Sequence, residues 1–364
     1  MLNNINFIQP FSSSTQCKNN LTLEYIKEIN SQGKIIQIIL DNCTIQRMER
    51  LYETVDYATL KDLEDTNSGL KPLAEFLQDK SLNILMSASG VYEMPGKYVF
   101  KARLAYKKFC RDFWKYSLDD PNATKREIID ATENKLEFEN LDEEYRMVYG
   151  FSYVSLLQIQ NILNTCKNKT PEEQFLLYLH SIISMIDIIN GFELELAKYA
   201  FWRESLSDRE FNALAEQIKK RLTDIRENFT KPEKTLAKCK WRALNGSMDI
   251  GLLNMIKSLE ANGNNEFNID GIRLKIDFWI GTHDRKLFNI ANDIYSKGHG
   301  KDLGHIIATV REKELSVLNY WIYVDAISQK ILLDRTKKIY DSSNMLDSID
   351  LSVKEIENFL ANKI

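Results

Sequence analysis

The chain has 364 residues, of which 44% are hydrophobic and 27% are charged, and its formal net charge is −4. This length is enough for one large domain or two ordinary ones, and the acidic balance excludes an overall basic surface of the kind that marks a general nucleic-acid-binding protein. The five cysteines form no CxxC pair and are irregularly spaced, which argues against a disulfide framework or a structural zinc site and favours a reducing cytoplasm.

Strand and helix signals alternate in the first third of the chain. A short helix is predicted over residues 20–30, and the run KIIQIIL (34–40) predicts a strand buried on both faces, as in a parallel sheet. A second strand is predicted over residues 82–89. The segment after Pro95 is strongly helical, and many of its residues are cationic.

A helical block separates this region from a second region with strand signals. Residues 150–240 contain no convincing strand, and residues 247–263 predict a complete helix with Ser247 as its N-cap. The run IRLKIDFWI (272–280) alternates as a strand does, and residues 305–310 predict a further strand. No signal peptide is expected, and the most apolar run, 175–192, contains polar residues that favour a buried helix over a membrane span.

The order of these elements predicts an α/β protein with a central parallel sheet flanked by helices and a large all-α insertion. We divide it into the first part of the α/β domain at 1–118, a helical insertion at 119–240, and the second part of the α/β domain with C-terminal helices at 241–364. A mostly helical protein is the alternative fold.

Four acidic residues fall where an α/β sheet places ligand-binding side chains, just past the carboxyl ends of strands or at the start of a helix. Asp41 follows the first predicted strand, Glu93 follows the second, and Asp284 follows the strand at 272–280. Asp249 lies in the first turn of its predicted helix. The last three could also be ordinary caps or turn residues, whereas Asp41 ends a buried strand and requires compensation for its charge.

The segments around these acids resemble PIN-like nuclease domains. IIQIILDNCTI is similar to the first strand of that family, NILMSASGVYEM to its second strand and Val-x-Glu helix start, MDIGLLNMI to its third element, and IGTHDRKL to its fourth. The resemblance covers residues 1–115 and 240–330. Because the spacings are longer than in compact members, Glu193 or Glu195 remains an alternative to Glu93, and Asp277 an alternative to Asp249.

The resemblance implies a metal-dependent endoribonuclease that hydrolyses RNA phosphodiester bonds. Carboxylate oxygens select Mg²⁺ or Mn²⁺, and one or two such ions can activate water and stabilise an in-line displacement. The expected catalytic and metal-binding residues are Asp41, Glu93, Asp249 and Asp284. Asn42 and Thr282 could hold a carboxylate or a water in place.

The helix after Pro95 carries a predicted RNA-binding stripe on one side. At about 100° per residue, its members fall within about 80° of one another. They are Lys97, Lys101, Lys108, Arg111 and Lys115. Tyr98, Ala102, Tyr106, Phe109 and Phe113 cluster on the opposite side and are expected to face the core. An ordinary solvated face is the alternative interpretation of the stripe.

Two other functions remain open. One is a non-catalytic, helix-rich interaction or regulatory protein whose acids are surface caps. The other is a phosphatase with Asp41 as nucleophile. Cys43 argues against it, because such enzymes usually have a second Asp at this position. His283 and Cys43 are expected to pack rather than to react. The helical insertion could bind a protein inhibitor or form a homo-oligomer, and the protein is expected in the cytoplasm without a membrane segment.

Overall fold

The chain folds, in a computed structural model, into strands and helices over residues 4–9, 11–12, 21–115, 132–203, 212–261, 266–269, 272–298, 305–309, 311–335 and 343–364, which are the residues that the structure describes. The strands are β1 (Asn6–Ile8), β2 (Phe11–Ser12), β3 (Lys34–Leu40), β4 (Ile84–Ser87), β5 (Glu266–Ile269), β6 (Ile272–Thr282), β7 (Ile294–Gly298) and β8 (His305–Thr309).

The α-helices occupy most of the described chain. They are α1 (Leu23–Ser31), α2 (Asn42–Thr54), α3 (Leu60–Asp65), α4 (Lys71–Gln78), α5 (Gly96–Phe113), α6 (Glu143–Thr165), α7 (Pro171–Met185), α8 (Gly191–Phe201), α9 (Asn212–Ile225), α10 (Leu236–Ala261), α11 (Arg285–Asp293), α12 (Lys313–Ser316), α13 (Asn319–Arg335) and α14 (Met345–Ala361). Short 3₁₀ helices occur at Ser89–Glu93 and Phe138–Asn140, and a π-helical turn at Arg226–Thr230.

The chain divides into two compact units. The sheet unit comprises Met1–Leu136, Leu253–Asn292 and Ser296–His305, and the helical unit comprises Glu137–Leu252, Asp293–Tyr295 and Ile306–Ile364. The predicted boundaries after residues 118 and 240 lie earlier in the chain. The predicted division also groups the C-terminal helices with the α/β domain, whereas α14 packs against α6 within the helical unit.

The sheet unit is built on a five-stranded, mostly parallel sheet. Its strand order is β1-β6-β3-β4, and β5 also pairs with β6. β3 is parallel to both β6 and β4, whereas β1 and β5 run antiparallel to β6. β3 is therefore covered on both edges and, as its apolar sequence predicts, almost wholly buried. The α/β class is confirmed, and the strands that precede Asp41 and Asp284 are parallel neighbours.

Helices α2 and α5 pack against each other beside this sheet. The apolar side chains of β3, α2 and α5 share one hydrophobic core. Its members include Ile36, Ile38, Leu40, Ile45, Met48, Leu51, Val99, Ala102, Phe109 and Phe113. This packing holds the first turn of α2 and the segment leading into α5 at the carboxyl edge of the sheet. None of the helices in the described part of the chain is long and apolar enough to cross a membrane.

The predicted helix start at Ser247 is wrong. α10 begins at Leu236 and runs through this position without a break, so Ser247 and Asp249 lie in a helix interior. The reason is tertiary packing, because a Cβ on Gly246 would lie 2.8 Å from Leu156 and 2.9 Å from Phe229. Gly246 thus allows close contact with neighbouring side chains and does not end a helix. Residue 263, the predicted C-terminal signal, lies outside the described residues.

Candidate active site

Three strand ends lie side by side at one edge of the sheet. In the parallel register Leu40 pairs with Gly281, and Ile39 pairs with Ser87. The residues that follow β3, β4 and β6 therefore emerge at the same edge, which is where parallel α/β sheets bind ligands. The segments concerned contain three of the predicted acids, Asp41, Glu93 and Asp284.

Asp41 is a buried carboxylate that caps helix α2. Its side chain accepts a hydrogen bond of 3.0 Å from the backbone N–H of Thr44, which is the usual N-cap geometry. The Cys43 thiol also donates to it, with Sγ 3.0 Å from Oδ1 and 3.1 Å from Oδ2. A third donor is the hydroxyl of Thr282, which bonds Oδ2 from the neighbouring strand. Local capping and long-range contacts together compensate the buried charge.

Thr282 links Asp41 to the segment that holds Asp284. The hydroxyl of this fully buried residue donates to Asp41 and accepts a hydrogen bond of 2.8 Å from the backbone N–H of Asp284. Asp284 in turn caps α11, and its Oδ1 accepts from the amides of Lys286 at 2.7 Å and Leu287 at 2.9 Å. The first turns of α2 and α11 are thus joined through one hydroxyl group.

Glu93 ends the 3₁₀ helix that follows β4. A very close approach brings this helix to Asp41, because a Cβ built on Gly90 would lie only 2.1 Å from the amide nitrogen of Asn42. The Glu93 side chain is partly buried. No hydrogen bond or ion pair reaches it from any residue within the described ranges. A buried carboxyl group without such a partner is costly unless it binds a proton or a ligand.

The three acids influence one another electrostatically. Burial and the nearby charge of Asp41 raise the pKa of Glu93 to about 8. Burial also raises the pKa of Asp41, against the opposing effect of its hydrogen bonds, and the charge of Asp284 adds to the rise. A raised pKa in two neighbouring carboxyl groups, Asp41 and Glu93, at one sheet edge is a feature that functional sites share.

Cys43 and His283 support the site through packing and hydrogen bonds. The Cys43 sulfur accepts the backbone N–H of His283 at 3.1 Å, while its own thiol is directed at Asp41. Burial, with the Asp41 charge, raises the pKa of this thiol far above its usual range, so the nucleophilic thiolate is not populated at neutral pH. His283 is buried, its Nδ1 lies 3.1 Å from the Thr44 hydroxyl, and burial lowers its pKa to about 4.

The other predicted site residues have different surroundings. The side-chain oxygen of Asn42 accepts from Gln46 on the surface of α2. Asp277 lies in the middle of β6 and accepts hydrogen bonds from Gln9, Tyr25 and Trp279. It is paired in register with Ile36, far from the strand end, and its carboxylate is fully engaged by structural contacts.

Asp249, Glu193 and Glu195 belong to the helical unit and not to the sheet unit. Glu193 accepts hydrogen bonds from Ser152 and Asn190. Glu195 forms buried ion pairs with Lys198 and Arg311. The segments at the sheet edge therefore carry three of the four predicted acids, and the fourth, Asp249, belongs to the other compact unit.

Several cations of the predicted RNA-binding stripe are paired with acids near α2. Lys101 contacts Glu53 and lies 3.7 Å from Glu49, and Lys108 lies 2.7 Å from Asp56. Arg111 pairs with its neighbour Asp112, and Lys97 donates to the side chain of Asn134 at 3.0 Å. Lys115 is exposed. Lys97, Lys101, Lys108 and Arg111 lie on the outer face of α5 as predicted, whereas Lys115 follows the end of this helix at Phe113. Acids of a neighbouring segment offset part of the charge of the stripe.

The donor chemistry of the three clustered acids suits a hard divalent cation. Carboxylate oxygens are the ligands that Mg²⁺ and Mn²⁺ prefer, and a cation would offset the mutual repulsion of Asp41, Glu93 and Asp284. Of the residues that the structure describes, however, no three His, Cys, Asp or Glu side chains already have the arrangement of a metal site. To bind a cation, these carboxylates would have to rotate, or Asp41 and Asp284 would have to share with the cation the oxygens that cap α2 and α11.

Comparison of the chain with protein-family models, with curated proteins and with solved structures gives no match.

Proposed function

We propose that the sheet unit is a metal-dependent endoribonuclease whose active site is the carboxyl edge of β3, β4 and β6. This proposal depends on the surroundings of Glu93. Its carboxyl group is partly buried, has no hydrogen-bond partner among the described residues, and lies beside the buried Asp41. An unpartnered carboxyl group beside a second buried acid is costly in a purely structural role. This cost is explained if both acids bind a cation and its substrate.

Asp41, Glu93 and Asp284 would hold Mg²⁺ or Mn²⁺ at this edge. When bound, such an ion lowers the pKa of water and offsets negative charge on a phosphodiester group. Thr282 fixes the orientation of Asp41 through its hydroxyl, and Cys43 does the same through its thiol. Glu93, with a pKa of about 8, is mostly protonated at neutral pH without a metal ion, and it would release this proton when it binds the cation.

A PIN-like identity is part of this proposal and rests on the quoted sequence segments and on the parallel order of β6, β3 and β4. The proposed ligand set contains three acids, because Asp249 lies in the interior of α10 and belongs to the helical unit. RNA remains the proposed substrate.

A non-catalytic interaction protein is the second candidate, and a specific observation favours it. Asp41 and Asp284 each cap a helix, and this alone would account for their presence. The phosphatase alternative is weaker, because Cys43 donates to Asp41 and cannot serve as a second acid.

Asparagine variants separate the two candidates. Asn is as good an N-cap as Asp, so Asp41→Asn and Asp284→Asn should keep both helices capped while removing anionic metal ligands. We expect Mn²⁺ to raise the melting temperature of the wild-type protein, and not that of Asp41→Asn, Asp284→Asn or Glu93→Gln. A labelled single-stranded RNA should be cleaved by the wild type with Mn²⁺ and not with EDTA.

Asp249→Asn is the matched control, and it should retain both Mn²⁺ stabilisation and cleavage. If wild-type protein showed neither Mn²⁺ stabilisation nor cleavage, and the Asn variants melted like the wild type, the acids would be caps and the nuclease proposal would be wrong. Loss of activity in Asp249→Asn would instead show that the three-acid site is incomplete.

A further inference from the structure

The outward face of α5 combines cationic and large apolar side chains. Phe100 is 74% exposed and Leu104 is 45% exposed, and they occupy positions on the same face as Lys97, Lys101 and Lys108. Spacings of three and four residues place neighbours along one side of a helix. An aromatic ring that is three-quarters exposed between lysines contributes little to folding, because it buries little apolar area.

A second exposed ring lies near the end of this face. The guanidinium of Arg111 stacks on Tyr57, with its central carbon 3.9 Å from the ring centroid, and Tyr57 is 69% exposed. Arg111 also donates to the backbone oxygen of Asp56. One face of the Tyr57 ring is therefore held by a cation, and most of the side chain stays accessible. We call Phe100, Leu104, Tyr57 and the cations Lys97, Lys101, Lys108 and Arg111 the α5 platform.

The charge of this region opposes that of the whole chain. Residues 42–56 and 96–115 contain nine Lys and Arg against four Asp and Glu, whereas the chain as a whole has a net charge of −4. Two of the acids that pair with the platform are exposed, Glu53 beside Lys101 and Asp56 beside Lys108, whereas Glu49 and Asp112 are largely buried. Exposed ion pairs are weak, so phosphate groups can replace Glu53 and Asp56 at little cost.

We propose that the α5 platform binds single-stranded RNA, with unpaired bases stacked on Phe100 and Tyr57 and with phosphates next to the lysines. Binding of single strands requires this combination of aromatic surfaces and cations, because every base offers a flat face and every nucleotide a charge. A duplex hides its base faces, and a second copy of the same cationic face would be repelled. The inference rests on the proposed nuclease function and specifies its substrate as single-stranded.

The α5 platform begins close to the acids of the candidate site. α5 starts three residues after Glu93, so an RNA strand lying on Phe100 and Lys97 is near the start of the helix that follows the site. The platform and the acids belong to the same sheet unit. Nucleotides held on the platform would therefore lead towards the carboxyl edge of β3, β4 and β6.

The test measures binding without cleavage. Anisotropy of a labelled twelve-nucleotide oligouridine is titrated with the full chain in EDTA, and an RNA duplex of equal length is the comparison. We expect Phe100→Ala and Tyr57→Ala each to weaken single-strand binding about tenfold, the typical loss for one stacked base. Phe100→Trp should keep wild-type affinity, because it preserves a ring. Phe359→Ala, which removes a half-exposed ring on α14, is the control and should have no effect.

The outcomes distinguish this inference from the proposed function. If the wild type cleaves single-stranded RNA but Phe100→Ala and Tyr57→Ala bind like the wild type, the platform is wrong and the nuclease stands. If the wild type binds oligouridine through Phe100 but neither binds Mn²⁺ nor cleaves, the nuclease is wrong. Equal affinity for the duplex, or no binding by the wild type, overturns the single-strand inference.

Discussion

Gly90 lies directly against the peptide that joins Asp41 to Asn42. A Cβ on Gly90 would be 2.1 Å from the Asn42 nitrogen and 2.2 Å from the Asp41 carbonyl carbon. Both neighbours are backbone atoms at the start of α2 and cannot move aside as a flexible side chain would. This contact is what brings the 3₁₀ helix, and with it Glu93, to the carboxyl edge of β3.

Gly90→Ala should therefore both destabilise the protein and displace Glu93. Overpacking against fixed backbone typically costs about 1–3 kcal/mol of unfolding free energy, which urea denaturation can measure. Displacement should lower the pKa of Glu93 towards its usual range, as followed by NMR titration. Gly33→Ala is the control. It should lower the unfolding free energy only through the strain of a positive φ of 73°, because no atom lies near the added carbon. A Gly90→Ala protein with wild-type stability would contradict the packing described.

Thr282→Val should destabilise the protein through the loss of one hydroxyl group. Valine keeps the shape of the side chain but removes the hydrogen bond to Asp41 and the acceptor for the Asp284 amide. Leaving buried polar groups unpaired costs about 1–3 kcal/mol. Thr282→Ser retains the hydroxyl and should lose less stability in the same urea titration. A larger loss for Thr282→Ser than for Thr282→Val would mean that the methyl group, and not the hydroxyl, matters at this position.

Cys43 should react slowly with iodoacetamide in the folded protein at pH 8. Burial and the charge of Asp41 raise the pKa of its thiol, and alkylation requires the thiolate. Peptide mass spectrometry after timed quenching gives the rate for this cysteine alone. In urea the rate should rise to that of an ordinary thiol. Rapid alkylation of Cys43 in the native state would show an activated cysteine and reopen a nucleophilic role.

The sequence was sufficient to predict the positions of Asp41 and Asp284, because each follows an apolar run whose length and pattern define a buried strand. β3 begins and ends at the predicted residues, and β6 extends the predicted run by two residues. The parallel pairing of the two strands then places both ends at one edge. Local pattern and tertiary structure agree here, so the prediction is confirmed.

Asp249 shows where the same reasoning fails. Asn-Gly-Ser has the composition of a helix start, but Gly246 fits between Leu156 and Phe229, which belong to distant segments of the chain. No pattern within the helix carries that information. The contact between Gly90 and the start of α2, which brings the predicted Glu93 to this edge, could likewise not be seen in the sequence, because it depends on what a side chain at residue 90 would meet.

The cationic stripe illustrates a related limit. Its members could be predicted from the helical period, but its acidic partners Glu49, Glu53 and Asp56 come from α2 and the turn after it. Tyr98 was expected in the core and is 44% exposed. The period of a single helix gives relative angles and does not show where the neighbouring helix covers it.

Replacing Lys101 and Lys108 together by Gln should weaken RNA binding and flatten its dependence on salt. Each lost phosphate contact on a single strand reduces the slope of log K against log salt by about 0.7, so we expect a change of about 1.4. Gln is chosen because Glu at position 101 would face Glu49 and Glu53 and disturb the packing of α2. Lys354→Gln with Lys363→Gln, on or just after α14, is the charge-matched control. An unchanged slope would mean that these lysines serve only their intramolecular ion pairs.

Glu93 should make the protein less stable as pH rises. Its pKa is about 8 in the folded state against 4.5 for an unperturbed Glu, so between these values the folded chain holds a proton that the unfolded chain has released. Unfolding then releases protons, and the unfolding free energy falls with increasing pH across this window. The raised pKa of Asp41 changes the unfolding free energy in the same direction. Asp41 is present in both the wild type and the Glu93→Gln variant.

Glu93→Gln removes one of these titrations, so its stability relative to the wild type should increase from pH 5 to about pH 8 and then level off. Urea denaturation in EDTA at one-unit intervals measures the difference, and Glu355→Gln on the exposed face of α14 controls for a simple loss of charge. Parallel curves for Glu93→Gln and wild type would show that Glu93 is ordinarily solvated. Because a bound cation competes with the proton, Mn²⁺ should then stabilise the wild type more at pH 8 than at pH 6, and Glu93→Gln should lose this difference.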